Sequence, residues 1–184
     1  MITLEDVKKN EEVQALIEGT QKQLNVLGYT EHSVRHISIV SHRAGEILRI
    51  FGYSEDRIEL AKIAGYLHDI GNCVNRQDHA HSGAILAYDI LKDIGMDPQL
   101  RTEIMTAIGN HDEATGTAVS DISAALILAD KSDVHRDRVV NTNIATFGKH
   151  DRVNYAVTNT KLELDKENKR INVLRLNVWS QITI

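Results

Sequence analysis

A histidine and an aspartate stand side by side at the end of an apolar run in this chain. In AGYLHDIGN, residues 64–72, they are His68 and Asp69. A buried carboxylate needs a partner, because removing its charge from water is costly. Imidazole nitrogen and carboxylate oxygen both bind divalent ions, so the pair predicts a metal site. A helix C-terminal cap beside a surface carboxylate would explain the dipeptide alone equally well.

Four other segments carry the same residue types. The segment TEHSVRHIS contains His32 and His36, and DHAHSGA contains His79 and His81. GNHDE contains His111, and LILADKSD contains Asp130. Each segment lies at the end of a predicted element or on a strongly apolar helix, where a polar side chain points inward only if something there binds it. A shared metal ion would satisfy these side chains together.

The order of these motifs resembles the HD-domain superfamily of metal-dependent phosphohydrolases. The resemblance covers roughly residues 28–140 and rests on H-x-x-R, LHDIGN, H-x-x-x-G-A, H-x-E and ADKSD in that order. It implies a core ligand set of His32, His68, Asp69 and Asp130, with His79 and His111 added in members that hold a second ion. His36 lies on the same helix face as His32 and could replace it, and His81 could replace His79.

The resemblance implies a phosphohydrolase that acts on a nucleotide or another small phosphorylated metabolite through a metal-activated water. One or two divalent ions are expected, either manganese, iron or another transition metal, with magnesium also allowed. Asp69 would bridge two ions, and Asp133 would accept a proton or orient a ligand. The alternatives are a di-iron oxygenase of the same superfamily and a signalling module that binds metal or ligand without chemistry.

A phosphorylated substrate also needs positive charge beside the metal. Arg35, Arg76 and Lys131 lie close in sequence to the proposed ligands and are the predicted substrate-binding residues, with Lys131 also predicted to act in catalysis. A surface salt bridge is the alternative for each. Many family members have a lysine where this chain has Asn72, so one cation that could contact phosphate is missing.

Composition limits the classes of partner. The 184 residues carry a net charge of −5 and no basic block, which argues against a nucleic-acid polymer as partner. Cys73 is the single cysteine, so an intramolecular disulfide is excluded. No N-terminal apolar segment resembles a signal peptide or reaches the roughly 20 residues of a membrane span, and a cytoplasmic protein is expected.

Capping residues and apolar spacing predict helices up to about residue 140. The predicted helices are Leu4 to Leu27, Thr30 to Gly52, Glu55 to about Asp69 after a Ser54 cap, Ser82 to Gly95, one starting at Asp97 and Pro98, and one opening at Ser120 or Asp121. The β-branched stretches NYAVTNTKLEL and RINVLRLNV, separated by DKENK, predict a hairpin.

These patterns and the resemblance together predict a mainly α fold. An HD-domain-like helical bundle would occupy residues 1–140, and a β-hairpin appendage would lie within residues 141–184. Because a two-stranded hairpin is marginal in water by itself, we expect it to pack on the helical body or on a second subunit, as in a homodimer.

Overall fold

The computed structural model describes residues 2–27, 34–113, 116–141, 143–168 and 170–178. Its helices are α1 Leu4–Lys9, α2 Glu11–Leu27, α3 Val34–Ile50, α4 Glu55–Leu67, α5 His79–Asp93, α6 Pro98–Gly109, α7 Asp121–Ser132 and α8 Lys149–Ala156. Short 3-10 turns span Ile70–Cys73, Arg136–Arg138 and Ile144–Thr146. Strands β1 Val157–Asp165 and β2 Arg170–Val178 pair in antiparallel fashion. The fold is therefore mainly α with a C-terminal β-hairpin, as predicted.

Polar caps set the predicted helix starts. The Ser54 hydroxyl accepts a hydrogen bond from the Arg57 amide and begins α4. At α6, the Asp97 side chain accepts from the amide of Gln99 while Pro98 takes the first helical position. Ser120, rather than Asp121, caps α7. In each case a side-chain oxygen satisfies an amide that has no partner within the helix.

Two helix boundaries differ from the prediction. The first helix is not continuous, because Asn10 is extended and its side-chain oxygen accepts from the Val13 amide at 3.1 Å, which starts α2 separately from α1. The fourth helix begins at His79 instead of Ser82, since Asp78 adopts a left-handed conformation with φ 58° and turns the chain three residues earlier. The predicted Thr30 cap lies outside the described residues.

The centre of the bundle is formed by α4, which packs against α3, α6 and α7. Ile58, Ile63 and Leu67 on this helix are almost fully buried. Gly65 allows α3 to approach closely, because a Cβ at this position would lie 2.7 Å from the Cα of Ser41. This close approach brings the start of α3 and the end of α4 together, where two of the predicted ligands lie.

The hairpin packs on the helical body. Leu162 and Leu164 of β1 contact the hydrophobic core of the helices. Arg43 of α3 donates hydrogen bonds to the hydroxyls of Ser132 at 2.9 Å and Thr160 at 3.0 Å, which joins β1 to the end of α7. Of the two predicted packing partners, the helical body is the one observed. Among the described helices, none combines the length and the apolar character that a bilayer span requires.

Candidate metal centre

Six predicted or alternative ligands meet inside the bundle. We call them the His/Asp cluster, and its members are His36, His68, Asp69, His79, His111 and Asp130. All six are buried, with at most 9% of each residue exposed. They come from α3, the two residues after α4, the start of α5, the second residue after α6 and the end of α7. His32 lies outside the described residues, and His36 is the α3 histidine that the structure places in the cluster.

Imidazole nitrogens and carboxylate oxygens face each other across the cluster. The Nε2 of His36 lies 3.5 Å from Asp69 Oδ2 and 3.3 Å from Asp130 Oδ1. The Nε2 of His68 lies 3.2 Å from Asp69 Oδ2 and 3.7 Å from Asp130 Oδ1. On the other side of Asp69, the Nε2 of His79 lies 3.7 Å from Oδ1. Asp69 thus has histidines on both of its oxygens.

Three of the histidines share one local geometry. The Nδ1 atoms of His68, His79 and His111 lie 2.8, 3.0 and 2.7 Å from the carbonyl oxygens of the residues three positions earlier in the chain. A carbonyl only accepts, so Nδ1 carries the proton in each ring and donates it. In the neutral rings this tautomer leaves the Nε2 lone pair available to a metal.

His36 is oriented by a carboxylate instead of a carbonyl. Its Nδ1 lies 2.8 Å from Asp133 Oδ2, and Arg35 Nη1 donates to the same oxygen at 3.1 Å. Burial alone would raise the pKa of Asp133, but the contacts with His36 and the charges of Arg138 and Arg35 lower it. Asp133 therefore lies behind His36 as an ionised acceptor, a position that suits the predicted orienting role.

The electrostatics of the cluster favour unprotonated ligands at several positions. Burial lowers the pKa of His111 to about 4 and also lowers that of His79. Burial would raise the pKa of Asp130, yet the contacts with His36, His68 and Lys131 hold it well below its usual value. These groups are therefore a neutral or anionic donor set at neutral pH.

The surroundings of His68 indicate that the donor set fits a cation. Burial opposes its protonation, but Asp69 and Asp130 raise its pKa above the ordinary value. Its Nε2 is fully buried and makes no hydrogen bond to a described residue, although Asp69 Oδ2 lies nearby. A buried nitrogen beside two carboxylates calls for a positive charge, and a divalent ion would supply it.

The ligand atoms form two overlapping groups. In one group, the donor atoms of His36, His68 and Asp130 lie within 4.8 Å of one another, and in the other those of His68, Asp69 and His111 do. His68 belongs to both. The donor set therefore fits one divalent ion or two neighbouring ions. His81, the alternative to His79, is exposed over 58% of its side chain and does not join either group.

Asn72 has a role that its sequence position did not reveal. It is fully buried in the turn after Asp69, and its Nδ2 donates to the backbone oxygen and to Oδ1 of Asp69, both at 2.9 Å. Its own Oδ1 accepts from Arg76 Nη1 at 3.2 Å. Asn72 thereby fixes the Asp69 carboxylate and holds Arg76, whose Nη1 lies 3.4 Å from His79 Nε2.

A cavity of about 720 Å³ reaches Asp69, His79, His111 and Asp130. Arg76 and Lys131 line it, and the Lys131 ammonium group pairs with Asp130 Oδ2 at 2.9 Å. Arg35 pairs with Asp133 and is not among the lining residues. Two of the three predicted substrate-binding cations thus face the cavity.

The comparisons with known proteins agree with this site. Residues 29–140 match the HD domain family, and the chain belongs to that family. An uncharacterised protein of Methanocaldococcus jannaschii is 33% identical over 134 residues, which cover 61% of this chain and 51% of that protein. The chain thus spans about half the length of this curated relative.

A solved structure shows the same fold. It is described as a predicted HD superfamily hydrolase from an uncultured Thermotogales bacterium, and it aligns with a TM-score of 0.54 and 23% identity. The alignment covers 84% of this chain and 89% of that chain, so it extends beyond the segment that matches the family.

Proposed function

We propose that this chain is a metal-dependent phosphohydrolase that acts on a nucleotide or another small phosphorylated metabolite. The observation that carries the proposal is a buried His/Asp cluster at a cavity whose lining also contains Arg76 and Lys131. Carboxylates and imidazoles supply the metal ligands, and the two cations suit the negative charge of a phosphate ester. The description of the structural neighbour as a predicted hydrolase supports the hydrolytic part.

The ion would be held by the six members of the His/Asp cluster. When bound, a divalent ion supplies Lewis acidity, which activates water for attack on phosphorus and offsets charge on the phosphoryl oxygens. The imidazole-rich donor set favours manganese, iron or another transition metal over magnesium, which prefers oxygen ligands. We infer one or two ions, with Asp69 as the shared ligand when two are present.

The protein's own groups position the reactants. Hydrogen bonds at Nδ1 fix the imidazole rings, and Asn72 fixes Asp69, so the donor atoms need little reorganisation. Arg76 and Lys131 are placed to contact phosphate oxygens from the cavity walls. Asp133 keeps His36 in one orientation through a buried hydrogen bond.

The most informative test is phosphate release from a panel of nucleotides and small phosphate esters with added manganese. We expect turnover of at least one member, and loss of that turnover in Asp69→Ala. Oxygen uptake measured with the iron-loaded protein tests the alternative di-iron oxygenase. If the metal-loaded protein releases phosphate from no member of a broad panel, the phosphohydrolase proposal is wrong.

We also infer which kinds of molecule the protein binds. With a net charge of −5, we infer a small phosphorylated substrate rather than a nucleic-acid polymer. Homodimer formation stays a prediction, and sedimentation of the metal-loaded protein would test it.

A further inference from the structure

One wall of the cavity lies outside the segment that matches the HD domain family. Residues 148–151, 153 and 154, most of which belong to α8, line the cavity together with members of the His/Asp cluster. The matched segment ends at residue 140, before α8 begins. The C-terminal segment therefore contributes directly to the space in which a substrate would lie.

Specific contacts fix α8 beside the cluster. The buried Asn154 side chain accepts a hydrogen bond from the His135 amide at 3.3 Å. Arg136 donates to the Tyr155 carbonyl oxygen at 3.0 Å, and its guanidinium group lies 5.0 Å from the centre of the Tyr155 ring. His135 and Arg136 follow directly after the segment that contains Asp133. The position of α8 is thus tied to the segment that orients His36.

The cationic side chains that line the cavity differ in their hydrogen-bond and ion-pair partners. Arg76 donates to Asn72, Lys131 pairs with Asp130, and Arg138 donates to the backbone oxygen of Asp133 at 2.8 Å. Lys149 is exposed, and its side chain makes no hydrogen bond or ion pair with any described residue. Its ammonium group therefore differs from the other three cations in having no partner among the described residues, and it is open to an incoming anion.

None of the described acidic residues that line the cavity forms an ion pair with Lys149. The Asp151 carboxylate accepts a hydrogen bond from the Gly148 amide at 3.1 Å and so caps α8. Asp112 and Glu113 are close enough to Lys131 to contribute to its raised pKa, which burial opposes and Asp130 chiefly favours. His150, next to Lys149, also faces the cavity and can donate from its ring.

We infer that Lys149, together with His150, binds a second anionic group of the substrate, either a phosphate or a carboxylate remote from the scissile phosphate. The inference rests on the proposed function for the placement of the scissile phosphate at the His/Asp cluster. A volume of about 720 Å³ accommodates a small molecule with two separated anionic groups. Val153, which lines the cavity one turn after Lys149, offers an apolar contact to the carbon skeleton between them.

Equilibrium binding of phosphonates tests this inference without turnover, because their carbon–phosphorus bonds resist hydrolysis. Propylphosphonate carries one anionic group. The bisphosphonates of ethane, propane and butane carry a second phosphonate at increasing distance, and 3-phosphonopropionate carries a carboxylate as its second group. Binding to the manganese-loaded full chain is measured by calorimetry at a fixed free manganese concentration. Comparing the bisphosphonates with the phosphonocarboxylate separates a phosphate from a carboxylate as the second group.

We expect the best-fitting doubly anionic probe to bind about fivefold tighter than propylphosphonate, as for a partly exposed charge pair. Lys149→Ala should abolish this preference, Lys149→Arg should retain most of it, and Lys92→Ala on the exposed side of α5 should leave it unchanged. Equal binding of both probe types by the wild type, or equal weakening of both by Lys149→Ala, would overturn the inference. A preference that depends on Lys149 without phosphate release from any ester would uphold the inference while rejecting the proposed hydrolase function.

Discussion

Two clusters of ionisable side chains join helices in this protein, and they are built differently. In the first, the Arg57 guanidinium group of α4 bonds to Glu103 of α6 and to Asp121 of α7, with 3.0 Å between Arg57 Nε and Asp121 Oδ2. In the second, the His/Asp cluster, carboxylates and imidazole Nε2 atoms converge from five segments. The first cluster is partly exposed, and the second is buried.

The two clusters differ in whether their charged and polar atoms find partners within the cluster. The Arg57 cation lies between two carboxylates, so its donors face acceptors within the cluster. In the His/Asp cluster, backbone oxygens and Asp133 engage the outer Nδ1 atoms, while the Nε2 atoms of His36, His68 and His79 face carboxylates at distances of 3.2 to 3.7 Å. The first arrangement stabilises helix packing by itself, whereas the second offers a donor set that fits a divalent cation.

Loss of the Asp69 carboxylate should have the greatest consequence, because this side chain lies between histidines on both sides of the His/Asp cluster. We expect Asp69→Ala to abolish metal-dependent activity and sharply reduce bound metal, because His36, His68 and His79 all face this side chain. Elemental analysis after gel filtration measures the effect. Asp93→Ala, at an exposed position of α5, is the control and should keep the wild-type metal content. Wild-type metal content in Asp69→Ala would show that Asp69 is not a ligand.

The second prediction concerns the number of ions. Replacing both His79 and His111 with alanine should remove one equivalent from a protein that otherwise holds two, because the donor group of His36, His68 and Asp130 stays intact. His81→Ala serves as the control, since its side chain is exposed and outside both groups. The measurement is metal content after full loading. One equivalent in both the wild type and the double variant would reject a two-ion site.

The sequence indicated which types of residue form this centre, but it left open whether His32 or His36 belongs to it. His68, Asp69, His79, His111 and Asp130 lie at or near the ends of helices. Their order along the chain resembles the HD-domain motifs, and that resemblance implied that they share one site. The choice between His32 and His36 could not be made this way, because residues four apart share one helix face. What places His36 in the cluster is the packing of α3 on α4 at Gly65, a tertiary contact that one helix pattern does not contain.

The C-terminal segment shows the same limit. The hairpin was predictable from its β-branched residues and polar turn, and the observed strands pair as expected. The predicted first strand began too early, because residues 154–156 form the end of α8 and β1 starts at Val157. Helix α8 was not predicted, since its eight residues carry a weak apolar pattern and only Asn154 among them is buried. Its approach to the cavity depends on contacts with residues 135 and 136, which explains why Lys149 and His150 were not recognised as candidate site residues.

A sharper test of the His/Asp cluster changes an orienting group without touching a ligand. Asp133→Asn keeps the shape of the side chain that contacts His36 Nδ1 but removes its charge. We expect metal affinity to fall about tenfold, a typical result for a hydrogen-bond partner of a ligating histidine. Competition with a chelator gives the affinity. Asp137→Asn, at an exposed position paired with His135, should leave it unchanged, and an unchanged affinity in Asp133→Asn would remove the orienting role.

The smallest expected effect belongs to the Arg57 cluster, and it concerns stability only. Burial would raise the pKa of Asp121, but its bonds to Arg57 lower it below the ordinary value. The folded state therefore favours the ionised carboxylate, and this stabilisation is present above about pH 4 and is lost as the pH falls through the lowered pKa. Arg57→Ala should reduce the free energy of unfolding by about 1 kcal/mol at neutral pH, because these charges are partly exposed.

Urea unfolding of the metal-free protein between neutral and acid pH would measure this effect. The difference between wild type and Arg57→Ala should shrink as the pH falls below about 4 and through the lowered pKa of Asp121, where this carboxylate becomes protonated. Arg49→Ala, whose partners Glu46 and Glu55 lie on the surface, should cost less. Metal content should be unchanged in both variants, because neither arginine contacts the His/Asp cluster. A loss of metal in Arg57→Ala at unchanged stability would contradict the assignment of this cluster to helix packing.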